Sequence, residues 1–354
     1  MHEQFEGTRQ VDERNKFDVP RLEKVLEAQI DGFQGPIDLE QFSGGQSNPT
    51  FLLKTPKKKY VLRRKPPGKL LPSAHAVDRE YRVMDALAET GVPVAKMHYL
   101  CEDETVIGTA FYVMDFVDGR VLWDGMLPEL DPKQRADIYD ELNRVIAALH
   151  SVDYGSVGLE SFGRPGNYIE RQINRWTKQY RASETEYIEA MENLIEWLPK
   201  NIPQDERTSV VHGDYRLDNV IFHPTEPRIL AVLDWELSTL GNPLADFAYH
   251  CMYWRLTPGE FRGISGTDHL ESGIPSEEDY VSKYCERVGS NAIDHWDFYI
   301  AYNMFRLGGI LQGIMGRVKD GTASSPHAVA QGKRARPMAE AGWRQVEKIL
   351  TRPT

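Results

Sequence analysis

Cysteine is scarce in this chain, whose 354 residues include only Cys101, Cys251 and Cys285. Three cysteines that lie far apart form neither the disulfide framework of a small secreted domain nor the closely spaced ligand pairs of a zinc site. This composition favours a reducing compartment. We therefore expect a cytoplasmic protein.

A long hydrophobic run is also missing. The most apolar stretch, residues 307–315, has about half the length that a membrane-spanning helix needs. It contains Gln312 and is bracketed by Arg306 and Arg317. The first 15 residues carry four acidic side chains, where an export signal would have a basic start followed by an apolar segment. We expect neither a membrane segment nor an export signal.

The chain has no excess of positive charge. It contains 42 Lys and Arg against 53 Asp and Glu, a formal net charge of −11. Proteins that bind nucleic acids neutralise phosphates with clustered basic side chains, so this balance argues against a nucleic-acid partner. The length is sufficient for two hydrophobic cores or for one fold with two lobes.

The first third of the chain has the pattern of a small antiparallel sheet. Helical spacing of apolar residues predicts a helix over 19–32 and another over 78–87. Short apolar segments separated by turns predict three strands within 37–64 and two more over 95–101 and 109–116. We assign residues 1–36 to an N-terminal extension with a helix and residues 37–117 to a β-rich N-lobe.

Beyond Gly119 the pattern becomes helical, with predicted helices over 131–150, 168–180 and 185–198. Three apolar segments interrupt it and are predicted as strands, and the turn 223–228 joins the last two as a hairpin. We assign residues 118–354 to the C-lobe. The predicted class is α+β, with a small antiparallel β N-lobe carrying one helix and a larger, mainly α C-lobe. The three strands are predicted over 209–211, 220–222 and 229–233.

The polar residues around this hairpin carry the clearest chemical signal. Residues 210–219 read V-V-H-G-D-Y-R-L-D-N, and L-D-W-E follows the hairpin over 233–236. Phosphoryl transfer uses a carboxylate that accepts the proton of the attacking hydroxyl, together with oxygen ligands for the Mg²⁺ on the nucleotide phosphates. We predict Asp214 as the catalytic base and Asn219 and Asp234 as metal ligands.

With His212 two residues before Asp214, the spacing equals that of the protein-kinase catalytic loop. The sequence resembles the aminoglycoside phosphotransferase family of small-molecule kinases, whose hallmark is H-G-D-x-x-x-x-N followed by D-W or D-x-E. The resemblance implies a bilobal protein-kinase-like fold, ATP and Mg²⁺ as cofactors, and a bracing role for His212. It also implies that Asp246, in the segment G-N-P-L-A-D, braces the catalytic loop; a helix N-cap is the other interpretation of Asp246.

The N-lobe contains candidate nucleotide contacts. The turn S-G-G-Q-S-N over 43–48 lies between two strands, where backbone N–H groups could cover phosphates. Without the C-lobe motifs it would be interpreted as a plain hairpin turn. The strand from Phe111 resembles the hinge between kinase lobes, with backbone groups available to an adenine edge. The candidates are Ser43, Gly44, Gly45, Gln46, Ser47, Asn48, Met114, Asp115, Phe116 and Val117.

A kinase-like lobe also needs a cation on its third strand, ion-paired to a helix Glu, to hold the α- and β-phosphates. The resemblance assigns these roles to Arg63 and Glu80, with Arg63 where the family usually has Lys. Arg64 is the alternative, although its side chain points to the opposite face of the strand. Arg keeps the charge on a larger, forked head group. This departure indicates either variation within the family or a weakened kinase, and we favour variation because the base and the metal ligands remain.

Two groups of basic residues bear on the charge of the acceptor. The helix over 168–180 places Arg171, Arg175 and Lys178 on one face beside Trp176, which suits an anionic substrate or is a solvated basic face. Residues 54–69 contain eight basic side chains and no acidic one. Both features argue against a polycationic acceptor. The candidate acceptor contacts are Arg171, Arg175, Trp176, Glu236 and Arg306.

Segments 60–68, 171–176 and 305–307 resemble a kinase-like domain that is fused to an acyl-CoA dehydrogenase in some animal proteins. The resemblance implies ATP-dependent phosphorylation of a hydroxyl on a hydroxyacyl-CoA or hydroxy acid. We therefore predict a small-molecule kinase, a phosphotransferase with an alcohol group as acceptor. The alternatives are a nucleotide-binding pseudokinase or regulatory protein without turnover, and an aminoglycoside or amino-alcohol acceptor.

Overall fold

The structure is a computed structural model that describes residues 7–43, 48–68, 75–205, 207–323 and 327–351. The strands are β1 (Thr8–Arg9), β2 (Asp38–Phe42), β3 (Thr50–Lys54), β4 (Lys59–Arg64), β5 (Met97–Cys101), β6 (Phe111–Asp115), β7 (Ser209–Val211), β8 (Val220–Phe222), β9 (Ile229–Val232) and β10 (Thr239–Gly241). The helices are α1 (Val19–Gln29), α2 (Val77–Leu87), α3 (Pro132–His150), α4 (Tyr168–Ala182), α5 (Glu189–Trp197), α6 (Pro243–Cys251), α7 (Pro258–Phe261), α8 (His269–Ser272), α9 (Glu277–Val288), α10 (Trp296–Lys319), α11 (Ala328–Gly332) and α12 (Ala335–Thr351). Short 3₁₀ turns lie at Glu13–Asn15, Leu198–Lys200, Leu217–Asn219, Trp235–Leu237 and Met252–Arg255.

The chain divides into two compact units. The first comprises Met1–Trp123, Gly155–Phe162 and Asp218–Ser238, and the second comprises Asp124–Tyr154, Gly163–Leu217 and Thr239–Thr354. The first unit therefore extends past residue 117 and includes the hairpin β8–β9, which the sequence analysis placed in the C-lobe. Backbone bonding explains this difference, because the Val232 N–H donates to Pro93 O at 2.9 Å and Arg120 pairs with Phe222.

The first unit contains an antiparallel sheet in the order β1-β2-β3-β4-β6-β5, which confirms the predicted architecture. Side chains alternate between the two faces of a strand, so Leu62 enters the core with Phe51 and Phe111. Arg63, the next residue on β4, points to the opposite face. The pairing of β1 with β2 was not predicted, since a strand of two residues has no recognisable pattern.

Helix α1 belongs to the same core, although the sequence analysis assigned it to a separate extension. Its buried residues Leu22 and Leu26 pack with the sheet core. The helix begins where the Asp18 side chain accepts the Arg21 N–H at 2.9 Å, a regular N-cap. It ends at Gln29 rather than at residue 32, and Gly32 follows with φ +75°.

The second unit is mainly helical, as predicted, and α10 runs through its interior with most of its residues buried. The apolar stretch 307–315 is therefore covered by other helices of the unit. A feature absent from the sequence prediction is β10, which pairs antiparallel with β7. In the part of the chain that the structure describes, no helix has the length and apolarity needed to cross a membrane.

Candidate active site

The hairpin β8–β9 brings Asn219 and Asp234 to neighbouring backbone positions. Val220 pairs with Val232, and the Leu233 N–H donates to Asn219 O at 2.8 Å. The chain then turns sharply, because Asp234 has the left-handed φ of 62°. Trp235 is buried and its indole N–H donates to Val232 O at 2.9 Å. In the motif D-W-E, the buried Trp235 thus holds the turn in place, and the carboxylates of Asp234 and Glu236 flank it in the sequence.

A single guanidinium joins these carboxylates to the sheet and to α2. Arg63 Nη2 donates to Asp234 Oδ1 at 3.0 Å and lies 3.6 Å from Glu236 Oε2. Arg63 Nε forms an ion pair with Glu80 Oε2 at 2.9 Å. Burial by itself would lower the pKa of Arg63, but the charges of Glu80, Asp234 and Glu236 raise that pKa above its ordinary value. We call these four residues the Arg63 cluster.

Glu80 is held within a buried network. Its carboxylate accepts the Asn48 amide N–H at 2.8 Å and the Tyr112 hydroxyl at 3.1 Å. Burial raises the pKa of Glu80 even though Arg63 and these hydrogen bonds lower it. Burial and the charge of Glu80 likewise raise the pKa of Tyr112 well above its ordinary value. Because Asn48 itself is buried, its side chain anchors the predicted nucleotide turn to α2.

Arg64, the alternative partner of Glu80, lies elsewhere. Its guanidinium donates to Ile107 O at 3.1 Å and to Asn15 O at 3.0 Å, and it lies over the ring of Phe51 at 5.5 Å. Arg63 is therefore the residue of β4 that pairs with the helix glutamate, on the strand face that the alternation of side chains predicts.

The predicted nucleotide turn is described only at its ends. Gly44, Gly45, Gln46 and Ser47 lie outside the described residues. The Ser43 N–H donates to Gly7 O at 3.2 Å, which connects the start of the turn to the N-terminal segment.

The predicted hinge residues continue β6. The Asp115 N–H donates to Lys96 O at 2.9 Å and the Phe116 N–H to Lys59 O at 3.4 Å. The Asp115 side chain contacts His98 and forms an ion pair with Lys58 at 2.6 Å. Because these two N–H groups already donate to backbone carbonyls, they are not available to an adenine. The predicted backbone contact to an adenine would therefore involve other groups of Met114, Asp115, Phe116 and Val117.

In the second unit, Asp246 supports the loop that carries Asp214. Its carboxylate accepts the N–H groups of His212 at 2.7 Å and Gly213 at 2.8 Å. His150 Nε2 lies 3.2 Å from the same carboxylate. Burial would raise the pKa of Asp246, but His150 and the His212 N–H lower it below its usual value. The N-cap of α6 is Asn242, whose side chain accepts two backbone N–H groups, so Asp246 has the geometry of a brace.

Two residues that the sequence analysis missed contact Asp214. The Tyr249 hydroxyl donates to Asp214 Oδ1 at 2.6 Å, and Arg216 Nε lies 3.1 Å from the same oxygen. Arg216 is inside the motif H-G-D-Y-R, and Tyr249 follows Asp246 by three residues on α6, which places it on the same helix face. That spacing was the signal that could have identified Tyr249. We call Asp214, Tyr249 and Arg216 the Asp214 cluster.

The candidate acceptor residues separate into four environments. Arg306 is buried, donates to Gly213 O at 2.5 Å and lies over the rings of Tyr249 at 4.9 Å and Trp176 at 5.9 Å. Arg171 donates to the carbonyl oxygens of Gly166 and Arg164, so it stabilises the loop before α4.

The other two candidates differ from these in their surroundings. Arg175 is exposed beside the ring of Trp176 at 5.4 Å. Glu236 lies in the Arg63 cluster, within the first unit. The structure thus brings Trp176 and Arg306 together, and it places Glu236 with the predicted metal ligand instead.

The Arg63 cluster is rich in carboxylate oxygens. It combines one guanidinium with three carboxylates, and carboxylate and amide oxygens are the ligands that Mg²⁺ prefers. The described residues contain no preassembled group of three or more His, Cys, Asp or Glu side chains for a metal. Asn219 and Asp234 carry oxygens of the kind that Mg²⁺ prefers, and the remaining ligands of such an ion would be phosphate and water.

Comparisons with known proteins identify the family of this chain. The model of the phosphotransferase enzyme family matches residues 38–276. Mouse acyl-CoA dehydrogenase family member 10 is 48% identical over 347 residues, which cover 97% of this chain and 32% of that protein. The chain thus spans about a third of the length of this curated relative, and 44% of the length of the rat family member 11.

Solved structures show the same fold. A Ralstonia eutropha protein assigned to the aminoglycoside phosphotransferases is 60% identical, with a TM-score of 0.88 and coverage of 94% of this chain and 99% of that one. A ternary complex of aminoglycoside phosphotransferase APH(4)-Ia with AMP-PNP and hygromycin B is 18% identical, with a TM-score of 0.59 and coverage of 92% and 98%. These findings confirm the predicted resemblance and the kinase-like α+β fold.

Proposed function

This chain belongs to the phosphotransferase enzyme family, and from that premise we propose that it is an ATP-dependent small-molecule kinase acting on a hydroxyl group. The observation that carries the proposal is the Arg63 cluster. A kinase needs the strand cation paired to the helix glutamate and the metal-binding aspartate in place. Arg63 lies 2.9 Å from Glu80 and 3.0 Å from Asp234, so the pairing exists with Arg in the usual place of Lys.

In the proposed reaction the acceptor oxygen bonds to the γ-phosphorus of ATP, the bond from that phosphorus to the ADP oxygen breaks, and the hydroxyl proton passes to Asp214. Tyr249 and Arg216 orient the Asp214 carboxylate, and Asp246 and Arg306 support the backbone of its loop. Asn219 and Asp234 would hold Mg²⁺, which neutralises charge on the phosphates when bound. Arg63 would hold phosphate oxygens. The complex of APH(4)-Ia with AMP-PNP supports an adenine nucleotide as donor.

For the acceptor we propose an anionic hydroxy compound, a hydroxyacyl-CoA or a hydroxy acid. One guanidinium supports this class, because Arg175 is exposed on α4, whereas Arg216 and Arg306 are engaged with Asp214 and with Gly213 O. Such positive charge disfavours a polycationic antibiotic or an amino alcohol. The name of the mouse relative, an acyl-CoA dehydrogenase family member, supports an acceptor linked to acyl-CoA chemistry.

The test is a panel of acceptors incubated with Mg-ATP, with products identified by mass spectrometry. The panel contains 3- and 4-hydroxyacyl-CoAs, the free hydroxy acids, hygromycin B and choline. We expect phosphoester formation on the anionic acceptors and its loss in Asp214→Asn. Asp137→Asn, a change at a half-buried residue of α3 in the same unit whose carboxylate pairs with Lys133, should retain activity.

A regulatory pseudokinase is the second candidate, favoured by the one departure at Arg63. Binding of a fluorescent ATP analogue together with no product from any acceptor would support it. Product that forms equally well in Asp214→Asn would contradict the proposed mechanism.

A further inference from the structure

The Arg63 cluster contains two kinds of carboxylate. The Glu80 side chain is only 1% exposed, whereas those of Asp234 and Glu236 are 37% and 27% exposed. Glu80 is also fixed by hydrogen bonds from Asn48 and Tyr112. The Arg63 side chain is 11% exposed, so its contact with Glu80 is buried, whereas its contacts with Asp234 and Glu236 are more accessible to solvent.

The charges of the cluster do not balance. One guanidinium against three carboxylates leaves a formal charge of −2, and a divalent cation would compensate this excess. One of the two oxygens that such a cation could use already has a cationic partner, however, because Asp234 Oδ1 accepts the Arg63 Nη2 hydrogen bond at 3.0 Å. A cation that binds Asp234 therefore displaces this hydrogen bond or shares the carboxylate with a positive charge, and both cost free energy.

We propose that Arg63 competes with the divalent cation for Asp234, so that the metal binds weakly without nucleotide and the two bind cooperatively. This inference rests on the proposed function, since it concerns the metal and phosphate sites of that reaction. The planar guanidinium of Arg directs Nε to Glu80 and Nη2 to Asp234 at the same time. A lysine ammonium would have a single nitrogen for both carboxylates, without this fixed orientation. Nucleotide phosphates offer Nη2 another anionic partner, and Asp234 then becomes available to the metal.

The experiment measures Mn²⁺ binding to the nucleotide-free protein by electron paramagnetic resonance of the free ion. In Arg63→Gln the competing hydrogen bond is gone, and we expect Mn²⁺ to bind at least fivefold more tightly than in the parent. The matched control is Arg82→Gln, which makes the same charge change in the same unit at an exposed residue bonded to Gly158 O and Ser161. It should leave Mn²⁺ affinity unchanged.

A second variant guards against misfolding, because Arg63→Gln leaves Glu80 buried without its ionic partner. Arg63→Gln with Glu80→Gln removes both charges and preserves the net charge of the chain. We expect tighter Mn²⁺ binding here also. Adding Asp234→Asn to either variant should abolish the gain, which locates the effect at Asp234.

For nucleotide affinity we expect the opposite effect of the same variant. A fluorescent ATP analogue in the presence of EDTA should bind several-fold more weakly to Arg63→Gln than to the parent, because a phosphate partner is lost. Mn²⁺ affinities within twofold of the parent in both Arg63 variants would overturn the inference, as would a gain that survives Asp234→Asn. Absence of turnover with every acceptor, alongside the expected Mn²⁺ shifts, would refute the kinase function and leave the competition at Asp234 established.

Discussion

In the first unit one guanidinium faces three carboxylates, whereas in the second unit one carboxylate, Asp214, is contacted by a phenol and a guanidinium. The Arg63 cluster retains an excess of negative charge, and its outer carboxylates are partly exposed. The Asp214 cluster places one hydroxyl donor and one guanidinium charge on a single oxygen. The first arrangement suits recruitment of a cation, and the second suits the orientation of one base.

The proposed division of labour is tested most directly by removing one carboxylate from each cluster. Asp234→Asn should lower kcat/KM by about 10³-fold or more and abolish Mn²⁺ binding, since a metal ligand is lost. Asp214→Asn should lower kcat by about 10²–10⁴-fold, the usual contribution of a general base, while Mn²⁺ and nucleotide affinities remain those of the parent. Steady-state kinetics and Mn²⁺ titration distinguish the two variants. Equal loss of Mn²⁺ binding in both would contradict the separation of roles.

A second prediction concerns acid stability, which should differ between the units. His250 is buried in the second unit beside the Tyr280 hydroxyl at 2.8 Å, and burial lowers the pKa of His250 to about 4 from 6.5. Between these values the unfolded chain binds a proton that the folded chain does not. The free energy of unfolding therefore falls as the pH falls, by at most about 3 kcal/mol.

Urea unfolding at pH 7 and pH 4.5 measures this loss, and His250→Gln should show a smaller difference between the two pH values. Hydrogen exchange should locate the early opening to the helices around α6. If the first unit opens first on acidification, His250 is not the controlling group.

The third prediction concerns a variant that removes one contact of the Asp214 cluster and keeps Asp214 itself. Tyr249→Phe deletes the hydroxyl that donates to Asp214 Oδ1 at 2.6 Å. A hydrogen bond to a charged group contributes about 1.5–3 kcal/mol, so we expect kcat to fall by about 10-fold or more with an unchanged KM for ATP. In an Asp214→Asn background the same change should have little further effect, which a double-mutant cycle detects.

Tyr180→Phe is the matched control. Tyr180 is also buried, and within the described ranges its hydroxyl has no hydrogen-bond partner. Its loss should leave kcat at the parental value. Additive effects of Tyr249→Phe and Asp214→Asn would show that Tyr249 acts independently of the base.

The smallest effect is expected at the surface of α4. Arg175→Ala removes an exposed cation and should raise the KM for an anionic acceptor by about threefold to tenfold, in line with the modest contribution of exposed charges, while the KM for ATP stays constant. Arg171→Ala removes donors to two loop carbonyls and should chiefly lower the melting temperature. A changed acceptor KM in Arg171→Ala but not in Arg175→Ala would reverse this assignment.

Much of the fold followed from local patterns. The strands at 209–211 and 220–222 agree with β7 and β8 residue for residue, because short apolar segments between turns have few alternative structures. Helix ends were less accurate: α5 begins at Glu189, four residues after the predicted start. Propensity alone does not resolve such a boundary. The strand β10 was missed because Leu240 is the one large apolar side chain among its residues Thr239–Gly241, so it lacks the apolar segment that marked β7 and β8.

The sequence by itself determined the chemistry of the site: the spacing of Asp214, Asn219 and Asp234 is a property of adjacent segments, and a motif of this kind is legible without a fold. Only the tertiary structure decided the partners. Arg63 reaches Asp234 across 171 positions of sequence, and Tyr249 reaches Asp214 across 35. Arg171 and Glu236, both predicted as acceptor contacts, instead contact loop carbonyls and Arg63. Charges attract over distance, but burial and backbone geometry select which oppositely charged groups meet.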